Sequence, residues 1–93
     1  MAASCERVAM NPRKLLGRII ANPANVRFND FVNLVTAFGF QQTRVRGSHH
    51  IFTHVDIPEL INIQDYRGQA KPYQIRQFLR LVERYNLTLE DRS

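Results

Sequence analysis

All three histidines of this 93-residue chain fall within one stretch, Arg46-Gly47-Ser48-His49-His50-Ile51-Phe52-Thr53-His54. An imidazole titrates near physiological pH, so it can take a proton as a base and return one as an acid. Arg44 and Arg46 stand directly upstream, and guanidinium groups make charge-assisted hydrogen bonds to phosphate oxygens. Cations beside a histidine suit one phosphodiester reaction in particular. RNA carries its own nucleophile, the ribose 2′-hydroxyl. Its cleavage asks of a protein only a base, an acid and positive charge around the reacting phosphate.

Which histidine stands beside the arginines depends on local structure. Glycine at the first central position of a two-residue loop marks a type II′ hairpin, and Gly47-Ser48 lies between "FQQTRVR" and "HHIFTHV". Around that turn Arg46 pairs with His49, Val45 with His50, Arg44 with Ile51 and Thr43 with Phe52. One face then carries Gln42, Arg44, Arg46, His49, Ile51 and Thr53. The other carries Gln41, Thr43, Val45, His50, Phe52 and His54, and its aromatic suits it to meet helices. His50 and His54 are thus expected in partly buried or rim positions, satisfying hydrogen bonds. His49 is left with two readings, a proton-transfer group beside the arginines or a solvated surface histidine.

Other chemistries find less support. His50 and His54 share a strand face, but four residues of extended chain hold them roughly 13 Å apart. Adjacent His49 and His50 point to opposite faces, so no metal site is expected. A helix would restore zinc-ligand spacing, yet Ile51, Phe52 and Thr53 favour a strand. Cys5 is the single cysteine and is read as incidental, with no disulfide framework. Ser48 beside His49 lacks an acid to orient a nucleophilic pair. Gly39, Gly47 and Gly68 each suit a local turn, and no nucleotide-binding glycine pattern is present. The stretch Arg67-Gly68-Gln69-Ala70-Lys71 precedes Pro72 without a Ser, Thr, Asp or Asn cap. The helix that follows therefore offers its first backbone donors to a phosphate, or to water.

These residues need a scaffold, and the rest of the chain supplies its grammar. "NPRKLLGRIIANP" opens with Asn11 as N-cap and Pro12 at the first helical position, and carries Leu15, Leu16, Ile19 and Ile20 in one stripe. "NDFVNLVTAFGF" repeats the pattern, with Asn29 as cap, Phe31, Leu34, Val35 and Phe38 at helical spacing, and Gly39 to end it. "ELINIQ" alternates Ile61 and Ile63 with Asn62 and Gln64, a third strand with one buried face. Pro72 begins the last helix, whose buried side is Ile75, Phe78, Leu79 and Val82. The expected fold is α+β, a three-stranded antiparallel sheet with helices on one face and the other face open.

Thirteen Lys and Arg against eight Asp and Glu give a formal charge of +5. That balance favours polyanionic partners, although a basic surface also serves solubility. The N-terminal "MAASCERVAM" lacks a signal-peptide core and no segment is long enough to span a membrane, so a cytoplasmic location is expected. The chain is read as a single domain over 1–93: residues 1–10 as a flexible N-terminus, 11–27 as a helical extension and 28–87 as the core.

In that core, "GF" at a helix end, a short strand into "GSHHIFTH", an alternating strand and then "KPYQIRQFLRLV" resemble the HicA family of mRNA interferase toxins. The resemblance implies a double-stranded-RNA-binding-domain-like fold and metal-independent cleavage of mRNA without a cofactor. It also implies neutralisation by a HicB-type antitoxin. Its Gly-Ser-His motif places Gly47 and Ser48 in the turn and His49 at the catalytic position, with His50 as the reserve assignment if the alignment slips by one. Lys71 and Pro72 match the start of the family's last helix, and Ile75, Arg76, Phe78 and Leu79 its pattern. Arg44, Arg46, Ser48 and Lys71 are the expected RNA-binding residues. The helix at 12–21 and the connection "VDIPELI" depart from compact members. Two further readings use the same basic face, a noncatalytic RNA-binding module and a protein-interaction domain.

Overall fold

The computed structural model describes residues 11–89, so the readings of residues 1–10, Cys5 included, lie outside the described residues. Helix α1 spans Pro12–Ala21, with Asn11 Oδ1 accepting from the Arg13 backbone N–H at 2.8 Å. Leu15 and Ile19 enter the core, whereas Leu16 is half-buried and Ile20 exposed. Only half of the expected stripe is therefore covered.

Helix α2 spans Phe28–Ala37, and here the expected cap is displaced. Arg27, not Asn29, is the N-cap, and no side chain bonds the free donors. Tertiary pairing decides the start. Phe28 N–H donates to Gly68 O at 2.8 Å and Ala70 N–H to Val26 O at 2.9 Å, which ties the helix entrance to the 65–70 loop and buries Phe28. The other end follows expectation. Gly39, at φ 96°, donates to Thr36 O, and Phe40 N–H donates to Val35 O, the Schellman pattern that lets both Phe38 and Phe40 turn inward.

Strands β1 (Gln41–Arg46), β2 (His49–Thr53) and β3 (Ile61–Gln64) form an antiparallel sheet in the order β1-β2-β3. Gly47 has φ 60° and Ser48 is not left-handed, so the turn is the type II′ that the dipeptide predicts. A side chain at Gly47 would meet open space, and its cost is backbone strain alone. Gly47→Val is expected to lower stability by about 1–3 kcal/mol, read from chemical denaturation.

Three of the four expected pairs near the turn hold: Arg46 with His49, Val45 with His50, Arg44 with Ile51. The fourth does not. A bulge at Thr43 places Gln42, in its stead, opposite Phe52, and Gln41 opposite Thr53. An extra residue reverses the faces beyond it, so Gln42 joins the His50 side and its Oε1 lies 3.0 Å from His50 Nδ1. The helix-side face is also smaller than expected. All of β1 is exposed, Val45 included, and burial is confined to Phe52, Ile61 and Ile63.

Helix α3 spans Pro72–Arg84, with Lys71 as an N-cap that makes no side-chain bond. Ile75 and Phe78 are fully buried, while Leu79 and Val82 pack at the core's margin. Gln74 is buried too, because its Oε1 accepts the edge-strand Gln64 N–H at 2.8 Å. The helix ends as α2 does, with Asn86 at φ 53° in the left-handed place of glycine and Leu87 N–H donating to Val82 O. Among the described residues the fold is α+β, three helices and one sheet with an open face. Among the described residues no helix is long and apolar enough to cross a membrane.

Candidate functional site

The alternation of β2 separates the histidines. His50 lies on the helix side between Val45 and Ile63, with its ring 4.7 Å from that of Phe28. His54 follows the strand and is held at both nitrogens. Its Nδ1 accepts from Asp56 N–H at 3.0 Å, which leaves Nε2–H to donate to Phe38 O at 3.2 Å. Its ring also packs edge-on against Phe40 at 4.9 Å. Both imidazoles make structural contacts, as expected of them.

His49 is exposed on the open face. Its row across the sheet is Arg46, His49, Gln64, and the neighbouring row is Arg44, Ile51, Asn62. Directly paired side chains have Cβ atoms about 5 Å apart and diagonal ones about 7–8 Å. Arg46 is therefore within reach of the imidazole and Arg44 is one row away. Neither arginine has an ion-pair partner among the described residues, so both charges are available to an anion.

Asn62 adds what the sequence alone did not bring to His49. Its Oδ1 lies 3.1 Å from His49 Nδ1. An amide oxygen accepts, so the contact fits the neutral tautomer with its hydrogen on Nδ1 and its lone pair on Nε2. Strand alternation puts Asn62 on the polar face. Only the β2–β3 register sets it diagonal to His49.

Ser48 and Lys71 approach the same end of the sheet from different elements. Ser48 O accepts from Asp65 N–H at 2.8 Å, which ties the turn to the loop after β3. That loop is a miniature hairpin in place of a plain polar connection. Arg67 (φ 55°) and Gly68 (φ 81°) form its turn, and Tyr66 and Gln69 exchange backbone bonds at 3.0 Å. Asp65 Oδ1 accepts from Gly68 N–H at 2.8 Å and braces it. Lys71 Nζ lies 5.0 Å above the Tyr66 ring, and the Arg67 guanidinium 5.6 Å from it, both within cation–π range. Both cations are thus held beside the loop that carries the hairpin turn.

A groove runs from His49 between β3 and α3. Among the described residues Glu59 is its one acid, and it is engaged: Tyr85 Oη donates to it at 2.6 Å and Arg84 pairs with it at 3.4 Å. The hydrogen bond to Glu59 raises the Tyr85 phenol above its ordinary value of 10.0. Among the described residues no three His, Cys, Asp or Glu side chains gather as a metal site would require.

Residues 28–83 match the family model described as HicA toxin of bacterial toxin-antitoxin. No curated protein and no solved structure gives a significant match to the chain. The matched stretch runs from the first residue of α2 almost to the end of α3 and takes in the whole sheet, while α1 precedes it. With more than half of its length so matched, the chain belongs to the HicA family of toxins of bacterial toxin–antitoxin systems.

Proposed function

We propose that the protein is a metal-independent endoribonuclease that cleaves mRNA in the cytoplasm, with His49 as its proton-transfer residue. The observation that carries this is the placing of His49, exposed on the open sheet face, paired with Arg46 and held at Nδ1 by Asn62. Nε2 takes the proton of the ribose 2′-hydroxyl as that oxygen attacks the adjacent phosphorus. The bond to the 5′-oxygen breaks, and the imidazolium is the acid that protonates it. Arg44, Arg46 and Lys71 hold the phosphate backbone and stabilise the charge that develops on it, and Ser48 lies in the turn against it. His50 stands in reserve for the role of His49.

The reading is tested on purified protein with a defined RNA in the presence of EDTA. Cleavage should be undiminished, and the 5′ fragment should end in a 2′,3′-cyclic phosphate. Intact RNA across a range of concentrations would instead favour a binding module. We propose a HicB-type antitoxin as the partner. Expression of the protein alone should arrest growth, and co-expression of the adjacent antitoxin gene should relieve it.

Asn62 acts through His49 as a positioning residue. Asn62→Ala should lower kcat about 2- to 10-fold with little change in KM, the effect of one lost hydrogen bond.

A further inference from the structure

The groove between β3 and α3 is not absorbed by that chemistry. His49 and Asn62 stand at its sheet side, and Tyr73, Gln77, Arg80 and Arg84 line its helix side. These four helical residues are spaced by four, three and four, so they form a single stripe along α3. At 1.5 Å per residue the stripe is about 16 Å long. The groove holds about 550 Å³, within the roughly 300–1,000 Å³ of ligand clefts.

Its chemistry is that of single-strand recognition. Tyr73 is 50% exposed, and among the described residues no other ring or cation packs on it. Tyr66, by contrast, already carries two cations. A free aromatic face stacks an unpaired base, whereas a duplex keeps its base faces covered. Gln77 offers donors and acceptors to a base edge. Arg80 is exposed and has no ion pair among the described residues. The charge of Glu59, the one acid among the described residues that line it, is met by Arg84 and Tyr85. The groove is thus open, aromatic and net basic, and it begins at His49.

We propose that this groove is the track for a single-stranded segment of RNA leaving His49, with Tyr73 as the stacking surface for a base and Arg80 as the contact to a backbone phosphate. The proposal deepens the nuclease reading and rests on it for the direction of the strand. Binding, however, can be measured apart from catalysis. The probe is a fluorescent, unstructured 2′-O-methyl RNA, which lacks the nucleophile and stays intact whatever the protein does. Anisotropy titrations at several salt concentrations compare the full chain with Tyr73→Ala, Tyr73→Phe, Arg80→Gln and Arg76→Gln. Arg76 is exposed and lines a different groove, beside Leu16 and Ile20.

Tyr73→Ala should weaken binding about 5- to 150-fold, the effect of losing one stacked base, and Tyr73→Phe should retain it. Arg80→Gln should flatten the slope of log K against log salt by about 0.7, the value of one phosphate contact on a single strand. Arg76→Gln should do neither. The same strand annealed to its complement should bind without sensitivity to Tyr73. If RNA is bound and Tyr73→Ala and Arg80→Gln bind it as the parent does, the track is overturned and the His49 reading stands. If the parent chain binds no RNA, the nuclease reading falls and the track falls with it.

Discussion

His49→Ala is expected to remove most RNA cleavage, by about 10²- to 10⁴-fold, while leaving RNA binding and thermal stability nearly unchanged. The separation follows from where the side chain sits. His49 is exposed and contributes nothing to the core. Among the described residues its side chain has one polar contact, to Asn62, itself exposed on the open face. Arg44, Arg46 and Lys71 would remain to hold the phosphate backbone. His50→Ala is the matched comparison. It removes the ring packed at a tilt against Phe28 and the contact to Gln42, so it should lower melting temperature more than it lowers turnover. A rapid gel assay and a thermal melt on both proteins decide the matter. Wild-type cleavage by His49→Ala with loss in His50→Ala would move the chemistry to His50. Full activity in both would leave the nuclease reading without a histidine.

Phe78→Ala should be the most damaging substitution to the fold, at about 3–5 kcal/mol. Phe78 is fully buried on α3 and meets three other aromatic rings: Phe31 at 5.6 Å, Phe38 at 5.5 Å and Phe40 at 5.7 Å, all edge-on. It therefore joins the last helix to α2 and to the residues just past the Gly39 turn. Edge-to-face aromatic pairs add about 0.5–1.5 kcal/mol to what area burial supplies. A domain of this size has about 5–15 kcal/mol in total, so truncation should lower the melting temperature by more than about 10 °C. Phe78→Leu, which refills most of the volume, should recover part of the loss. A cost for Phe78→Ala below about 1 kcal/mol in denaturant titration would show that these rings do not form the centre of the core.

Much of this architecture is legible in single residues. Asn11-Pro12 starts α1, Gly39 ends α2 and Gly47-Ser48 turns the hairpin, because each answers a local demand of the backbone. Strand alternation is local in the same way, and with that turn it puts His49 opposite Arg46 and turns His50 toward the helices. The features that were not legible all depend on contacts between distant segments. The bulge at Thr43 exchanges the faces of Gln41 and Gln42, and nothing in "FQQTRVR" announces it. Helix α2 begins at Phe28 because a loop forty residues away accepts its N–H, although Asn29 is the better cap by type.

The site divides along the same line. Residue type and spacing by themselves determined the α+β class, the hairpin and the choice of His49 as the imidazole that shares a face with Arg44 and Arg46. Those are consequences of backbone geometry over a few residues. Only the tertiary structure decided that Asn62 stands at His49 Nδ1, that Lys71 is held over Tyr66, and that the polar stripe of α3 forms a groove with β3. Each of these requires the register of β3 against β2 or the docking of α3. Both are set by burying Phe52, Ile61, Ile63, Ile75 and Phe78 together, and no window of neighbouring residues contains that balance of contacts.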